Sequence, residues 1–414
     1  MRRWLAAAAA LLLLLAGVLA GYVLYKRDQA KDVRGSSTVE FVTTEEPKPE
    51  PPPARAEGIA WSTFKYDPGR AGVSPYAHRP PYRVLWGFPG RTLVEFPPAV
   101  AFGRLYFANN DGVLFAVDAK TGKLVWQFRS GRVQASSPTI SGRTVFHTFL
   151  YRPNSRERDR DGELIAFDAD TGAVRWRRAL APSESSPLVH RGRVYVGDWS
   201  GRVYAFDIRT GRVRWTFEAD GEVKGGLAAS GGRVFVGSYD HHLYALNART
   251  GKQLWRTGTQ ERLGNRGRFY STPAVAYGRV YIGATDGKVY SFGAASGRLL
   301  WSQGTGSYVY SSPAVWERLV FAGSYDSRFY AFDAATGEVR WRFRSGGKIS
   351  GSPTVMGGLV YFATLKGESF ALNARTGKQV WKFDDGRYAS VVADAERVYQ
   401  VGTGRVYGLE PAPR

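Results

Sequence analysis

The sequence has no cysteine and only 2 methionines in 414 residues. Without cysteine there is no structural disulfide, no thiolate metal ligand, no cysteine nucleophile and no lipobox for lipid attachment. Histidine is also scarce: His78, His147, His190, His241 and His242 are the full complement, and they show no metal spacing. No Gly-x-Ser-x-Gly, Walker or Gly-x-Gly-x-x-Gly context is present, so no catalytic residues are assigned. Beyond the N-terminus no amphipathic helical run stands out.

Acidic residues are few beside basic ones, 36 against 57, for a net charge of +21. Residues 1–57 are nearly balanced, so the excess lies in the remainder. Such a surface favours acidic partners such as lipid headgroups or cell-wall polyanions, or it is simply an arginine-rich soluble surface. Nucleic acid is not the expected partner.

What is abundant is aromatic residues (14%) and glycine (49 residues), in short Val/Tyr/Phe-rich runs broken by Gly, Asp and Asn. That is an all-β composition of brief strands and tight turns. The exception is Trp4 to Tyr25, an uncharged run of 22 residues. At ~1.5 Å per residue it reaches ~33 Å, enough to cross a bilayer core. It runs into Lys26 and Arg27 without a small-residue cleavage site, favouring an uncleaved signal-anchor over 1–25. Flanking charges are close to a tie for orientation. Residues 26–57, with Glu45 to Pro53 rich in Pro and Glu, read as an extended, unpacked tether.

From residue 58 one pattern recurs. An aromatic strand ends in Asp or Asn, a Thr-Gly turn follows, and Trp lies four residues beyond the Gly, as in Asp118 to Trp126 and Asp207 to Trp215. Trp86, Trp126, Trp176, Trp215, Trp255, Trp301, Trp341 and Trp381 are separated by 40, 50, 39, 40, 46, 40 and 40 residues. A period near 40 with four short strands per unit is that of propeller blades. The third copy reads as strands at 187–190, 193–197, 202–207 and 213–217, and the tryptophans as structural docking residues. The fifth copy is degenerate, with Gly293 and Ser296-Gly297 in place of acid and threonine. After Trp381 only three strands remain, and Trp86 sits on a fourth without its partners. The N-terminal strand is therefore expected to complete the last blade and close an eight-bladed ring over 58–414.

These copies resemble the tryptophan-docking repeat of the PQQ-like propeller superfamily. The resemblance implies one of two classes: quinoprotein dehydrogenases that hold pyrroloquinoline quinone and calcium, typically against a vicinal disulfide, or BamB-like propellers without catalysis. The lack of cysteine favours the second class, while the missing lipobox departs from BamB. The expectation is a monomeric propeller with no cofactor, held by one helix at the plasma membrane on the extracytoplasmic side, serving envelope proteins as scaffold or ligand-binding module. A PQQ-dependent dehydrogenase and a binder of anionic envelope polymer or lipid are the alternatives.

Meandering strands send alternate turns to opposite faces. One rim gathers Arg104, Arg143, Arg193, Arg233, Arg279, Arg318 and Arg397 from A–B turns, with Arg212 and Arg298 among the C–D turn cations. At the other face, three residues before the Ser/Thr-Pro steps into the innermost strands or at aligned positions, stand Glu95, Glu184, Lys224, Tyr270, Tyr310, Ser350 and Tyr388. This set is expected to ring the channel mouth, either as a solvated funnel or as a recognition pocket anchored by its tyrosines. Insertions at 151–162 and 260–270 belong to the same face. Glu157, Asp159, Asp161, Gly162 and Asp168 fit a calcium-loop spacing, but the intervening arginines and the absence of bracketing helices count against calcium.

Overall fold

The computed structural model describes residues 2–43, 58–262 and 264–412; the Pro/Glu-rich stretch from Glu45 to Pro53 lies outside them. Eight antiparallel sheets follow one another, with one additional short hairpin, Glu261–Arg262 with Asn265–Arg266. We number the blades 1–8 in chain order and letter their strands A to D from the channel outward. Blade 3 is Leu188–His190, Arg193–Gly197, Arg202–Asp207 and Val213–Glu218, matching the sequence reading to within a residue. Blade 8 takes strands A to C from the C-terminus and its D strand, Tyr82–Pro89, from the N-terminal side. That closure leaves neither chain end as an open sheet edge.

The repeat motif acts between blades. In each full copy the turn Asp or Asn side chain caps its own hairpin: the Asp118 carboxylate accepts from the Thr121 N–H and hydroxyl, both at 2.7 Å, and the Asn247 amide oxygen from the Thr250 N–H at 3.0 Å. Gly122 follows at φ +69°, a conformation costly for L side chains. The indole of the preceding blade lies on this glycine, where a Cβ would come within 2.6 Å of the Trp86 ring. Its Nε1–H donates to the next carbonyl: Trp86 to Ala119 (3.2 Å), Trp215 to Ala248 (3.1 Å), Trp341 to Ala374 (3.0 Å). Aspartate, glycine and tryptophan are thus one interlocking unit spanning two blades. Trp381 meets the closing blade differently, edge-on to Tyr82 at 5.4 Å, because no Thr-Gly turn exists where the two chain ends pair.

Two segments depart from the sequence reading. Residues 61–74 enter the central channel as a plug, tied to the innermost strands by backbone bonds from Ala229, Val275 and Val315 to Pro68, Gly69 and Ala71. Arg70, fully buried, donates to the carbonyls of Phe64, Pro187 and Leu227, and Lys65 to those of Ser312 and Pro353. The inserted cations thereby tie neighbouring blades together at the channel, Arg70 bonding carbonyls at the entries to blades 3 and 4 and Lys65 those at the entries to blades 6 and 7.

The second departure is the tether. Residues 30–42 are packed along the outside of blade 5, which runs from strand A at Ala274–Ala276 to strand D at Leu299–Gly304, and blade 6, from Ala314–Trp316 to Val339–Arg344. Val33 bridges Ser302 on the D strand of blade 5, the Gly35 N–H donates to Thr336, and Phe41 stacks on Tyr277 at 4.9 Å. This strap explains the degenerate fifth copy. The Glu40 carboxylate accepts from the Ser296 hydroxyl at 2.7 Å, and a Cβ on Gly293 would sit 1.9 Å from it. The missing turn acid is supplied from the strap. The helix before it, Arg2–Gln29, contains a stretch, Ala10–Gln29, long and apolar enough to cross a membrane, and none of that stretch is buried.

Candidate functional site

The seven channel-mouth residues, Glu95, Glu184, Lys224, Tyr270, Tyr310, Ser350 and Tyr388, line one cavity whose floor is Phe64 of the plug. The channel is therefore a blind funnel. All seven side chains are half-buried. The strand-A entries position them: the Ser/Thr-Pro steps after Glu184, Tyr270, Tyr310 and Ser350 hold the chain extended just before the innermost strand, so the residue three positions earlier stands on the rim, and Glu95, Lys224 and Tyr388 occupy the aligned positions of the other blades.

Two carboxyls share this cavity. Burial, then the neighbouring Glu184, pushes the Glu95 pKa up to about 7. Glu184 is likewise raised by burial, opposed by its bond from the Tyr270 hydroxyl (2.8 Å) and by Lys224. Around neutrality Glu95 thus offers both a donor and an acceptor. The Tyr270 hydroxyl is held well above its ordinary range by burial and the Glu184 charge.

Aromatic rings continue the wall. Tyr270 meets Tyr310 edge-on at 5.0 Å, and Tyr310 meets Tyr325 at 4.9 Å. Lys224 Nζ stands 4.5 Å from the Trp199 ring centre and 4.9 Å from that of Tyr239, and Arg268 lies over the other side of the arc at 5.4 Å from Tyr239. Trp199, Tyr239 and Tyr325 were not among the sequence candidates. Their signal was periodic: each stands two residues past the glycine that ends strand B of its blade, Gly197, Gly237 and Gly323.

The opposite rim is less free than its sequence suggests. Arg104 donates to the carbonyls of Ala169 and Asp170, Arg193 to those of Ala248 and Arg249, and Arg279 to those of Ala334 and Ala335. Each reaches from strand B of one blade to the C–D turn of the next, and Arg279, fully buried, also holds the strap. Arg143 pairs with Asp170, and Arg298 faces Glu40 at 3.6 Å. Arg212 and Arg233 have no ion pair among the described residues. Much of this basic ring is blade-to-blade bonding.

The calcium-loop spacing does not become a site. Asp161 is engaged by Arg132 and Arg152, while Asp168 belongs to a C–D turn, bonded to Thr171 and Arg175.

The fold is shared with BamB from Moraxella catarrhalis (TM-score 0.67, 20% identity, 80% of this chain and 100% of that one). It is shared equally with the quinohemoprotein alcohol dehydrogenase from Comamonas testosteroni (TM-score 0.68, 14% identity, 86% and 81%). In sequence, the dehydrogenase subunit of the quinone alcohol dehydrogenase of Komagataeibacter europaeus is 37% identical over 95 residues, 21% of this chain and 13% of that protein. The 1-butanol dehydrogenase (cytochrome c) of Thauera butanivorans is 36% identical over 162 residues, 34% and 23%. The chain matches about a fifth or less of the length of most such relatives.

These relatives correct one expectation. A propeller with quinone enzymes among its kin cannot be taken as cofactor-free on its fold, so the expectation of no cofactor is withdrawn. The residues at the mouth, however, do not fit a flat quinone bound beside a metal. No three His, Cys, Asp or Glu side chains among the described residues converge on a point, the tyrosines meet edge-on rather than as parallel walls, and free space is about 70 Å³.

Between these two groups of relatives the family is decided by the repeats themselves, for the family model of the outer membrane protein assembly factor BamB matches residues 82–216, 199–311 and 285–412, and the chain belongs to that family.

Proposed function

We propose that the protein is a membrane-anchored propeller of the cell envelope that captures a partner protein at the blind mouth of its channel. The observation that carries this reading is the convergence of Glu95, Glu184, Lys224 and the tyrosines on one cavity closed below by the plug. A closed floor makes the funnel a socket rather than a passage. Rigid aromatic rims around paired polar groups are the composition of interaction hot spots. The helix Arg2–Gln29 serves as the anchor, with the propeller outside the cytoplasm.

The test is photocrosslinking in the native membrane from positions 310 and 388 at the mouth and 378 on the opposite face. Mouth positions are expected to capture the same protein, and Glu184→Gln with Lys224→Ala to abolish capture. Crosslinks from position 378 alone would overturn the reading. The dehydrogenase alternative is favoured by the relatives. Alcohol-dependent dye reduction after loading with pyrroloquinoline quinone and calcium would establish it in place of the socket.

A further inference from the structure

The strap fixes where the membrane helix leaves the propeller. The helix ends beside the mouth face: Lys26 pairs with Glu261 at 2.6 Å, and Gln260 donates to the carbonyls of Gln29 and Lys31, each at 3.0 Å. Lys288, the first residue of strand C of blade 5 (Lys288–Gly293), donates to the Ala30 carbonyl at 2.6 Å and pairs with Asp32 at 3.0 Å. All five contacts are made by propeller residues, Gln260, Glu261 and Lys288, on the face that bears the funnel. The opposite rim, expected from sequence as the candidate polyanion surface, lies at the far end of the strap.

Between the helix end, the Glu261–Arg266 hairpin and the tyrosine arc lies a second cavity of about 810 Å³, lined on its basic side by Arg27, Lys31, Arg262, Arg266, Arg268 and Lys288. Part of this charge is neutralised locally: Arg266 pairs with Glu261, Lys288 with Asp32, Lys31 with Asp28. Asp286 is occupied by the Tyr290 hydroxyl and the Lys288 N–H. Arg27, Arg262 and Arg268 have no carboxylate partner among the described residues. Arg262 and Arg268 are exposed, and Tyr308 on the same wall is 49% exposed. Three guanidiniums without a carboxylate partner, with an exposed tyrosine, thus stand beside the end of an apolar helix, polar groups above an apolar segment. Guanidinium forks suit phosphate geometry, and tyrosine belongs at the headgroup level.

We propose that this cavity binds the phosphate headgroup of an anionic membrane lipid and so sets the funnel mouth toward the bilayer, an inference that rests on the helix being the anchor. The lipid's acyl chains lie along the apolar helix while its phosphate sits among Arg27, Arg262 and Arg268. The partner captured in the funnel then approaches from the membrane side.

The test uses the full chain in dodecyl maltoside, titrated with dihexanoyl phosphatidylglycerol, dihexanoyl phosphatidylcholine or inorganic phosphate and read by native mass spectrometry and calorimetry. The anionic lipid is expected to bind roughly tenfold more tightly than the zwitterionic one, to lose that advantage in Arg262→Ala/Arg268→Ala, and to weaken with salt. Equal binding of the two lipids, an unchanged double variant, or inorganic phosphate binding as tightly as the lipid would each overturn it. Glu184→Gln with Lys224→Ala separates this from the partner-capture reading: the pair is expected to abolish capture at the mouth and leave lipid binding as it was. Intact mass of the protein from its native membrane checks the anchor itself, since loss of residues through Arg27 would remove the helix and overturn the proposal.

Discussion

At the scale of single residues, the account turns on a glycine, a carboxyl and a buried cation. Gly251 lies at φ +75°, and a Cβ there would stand 2.7 Å from the Trp215 ring. Gly131 has a similar φ of +69° with open space around it. Alanine at either position carries the backbone cost of roughly 1–2 kcal/mol. Only at Gly251 is the indole also displaced, so Gly251→Ala is expected to lose roughly 2 kcal/mol more in chemical denaturation than Gly131→Ala. Equal losses would mean the indole does not dock on the turn. Glu95 gives a pH signature. Its folded pKa of about 7 lies above the ordinary carboxyl value of 4.5, so the folded form binds more protons between those values. Stability should therefore fall as pH rises from about 4.5 to 7 and level off above. Glu95→Gln is expected to flatten that slope, as followed by melting temperature against pH. Arg70 is held by carbonyls of Phe64, Pro187 and Leu227, and burial lowers its pKa to about 9. Arg70→Met keeps the bulk and leaves those acceptors unmet, which should cost roughly 3 kcal/mol of unfolding free energy.

At the scale of elements, the blades were legible in the sequence and the inserted segments were not. A periodic motif announces itself because the same constraint, an indole on a glycine beside a capping Asp or Asn, is repeated in each full copy. The plug and strap bind largely through carbonyls and through single side chains such as Lys65, Arg70 and Glu40, which repeat nowhere and have no spacing to detect. One trace was visible: the absent acid at Gly293 marked the copy whose acid comes from Glu40. The mouth residues were legible because strand register places one residue per blade on the rim. The rings of Trp199, Tyr239 and Tyr325 follow the same logic from the B–C loops. The basic rim misled because turn arginines look free in a sequence, whereas Arg104, Arg193 and Arg279 cross to the neighbouring turn. The strap yields its own prediction. Gly293→Asp should clash with Glu40 and release residues 30–42, raising the rate of trypsin cleavage at Arg34 roughly tenfold. Adding Glu40→Ala lets the new aspartate cap Ser296 and removes the clash, although Phe41 and Val33 still hold the segment. Slower cleavage in the double variant than in Gly293→Asp is expected.

At the scale of the whole molecule, closure and strapping together fix where the helix leaves the propeller. The D strand of blade 8 comes from the N-terminal side, so the ring is locked by residues that immediately follow the plug. The strap then carries the chain back across the outside of blade 5 to the mouth face, where the helix begins its exit. A propeller tethered by a floppy linker would present either face to the membrane. With the helix as the proposed anchor, the strap sets this one to present its socket. The most direct measurement is relaxation of spin labels by gadolinium-bearing lipid headgroups, with the full chain in nanodiscs and labels at position 308 on the mouth face or 378 on the opposite face. The account predicts strong relaxation at 308 and little at 378; equal relaxation, or the reverse order, would contradict it.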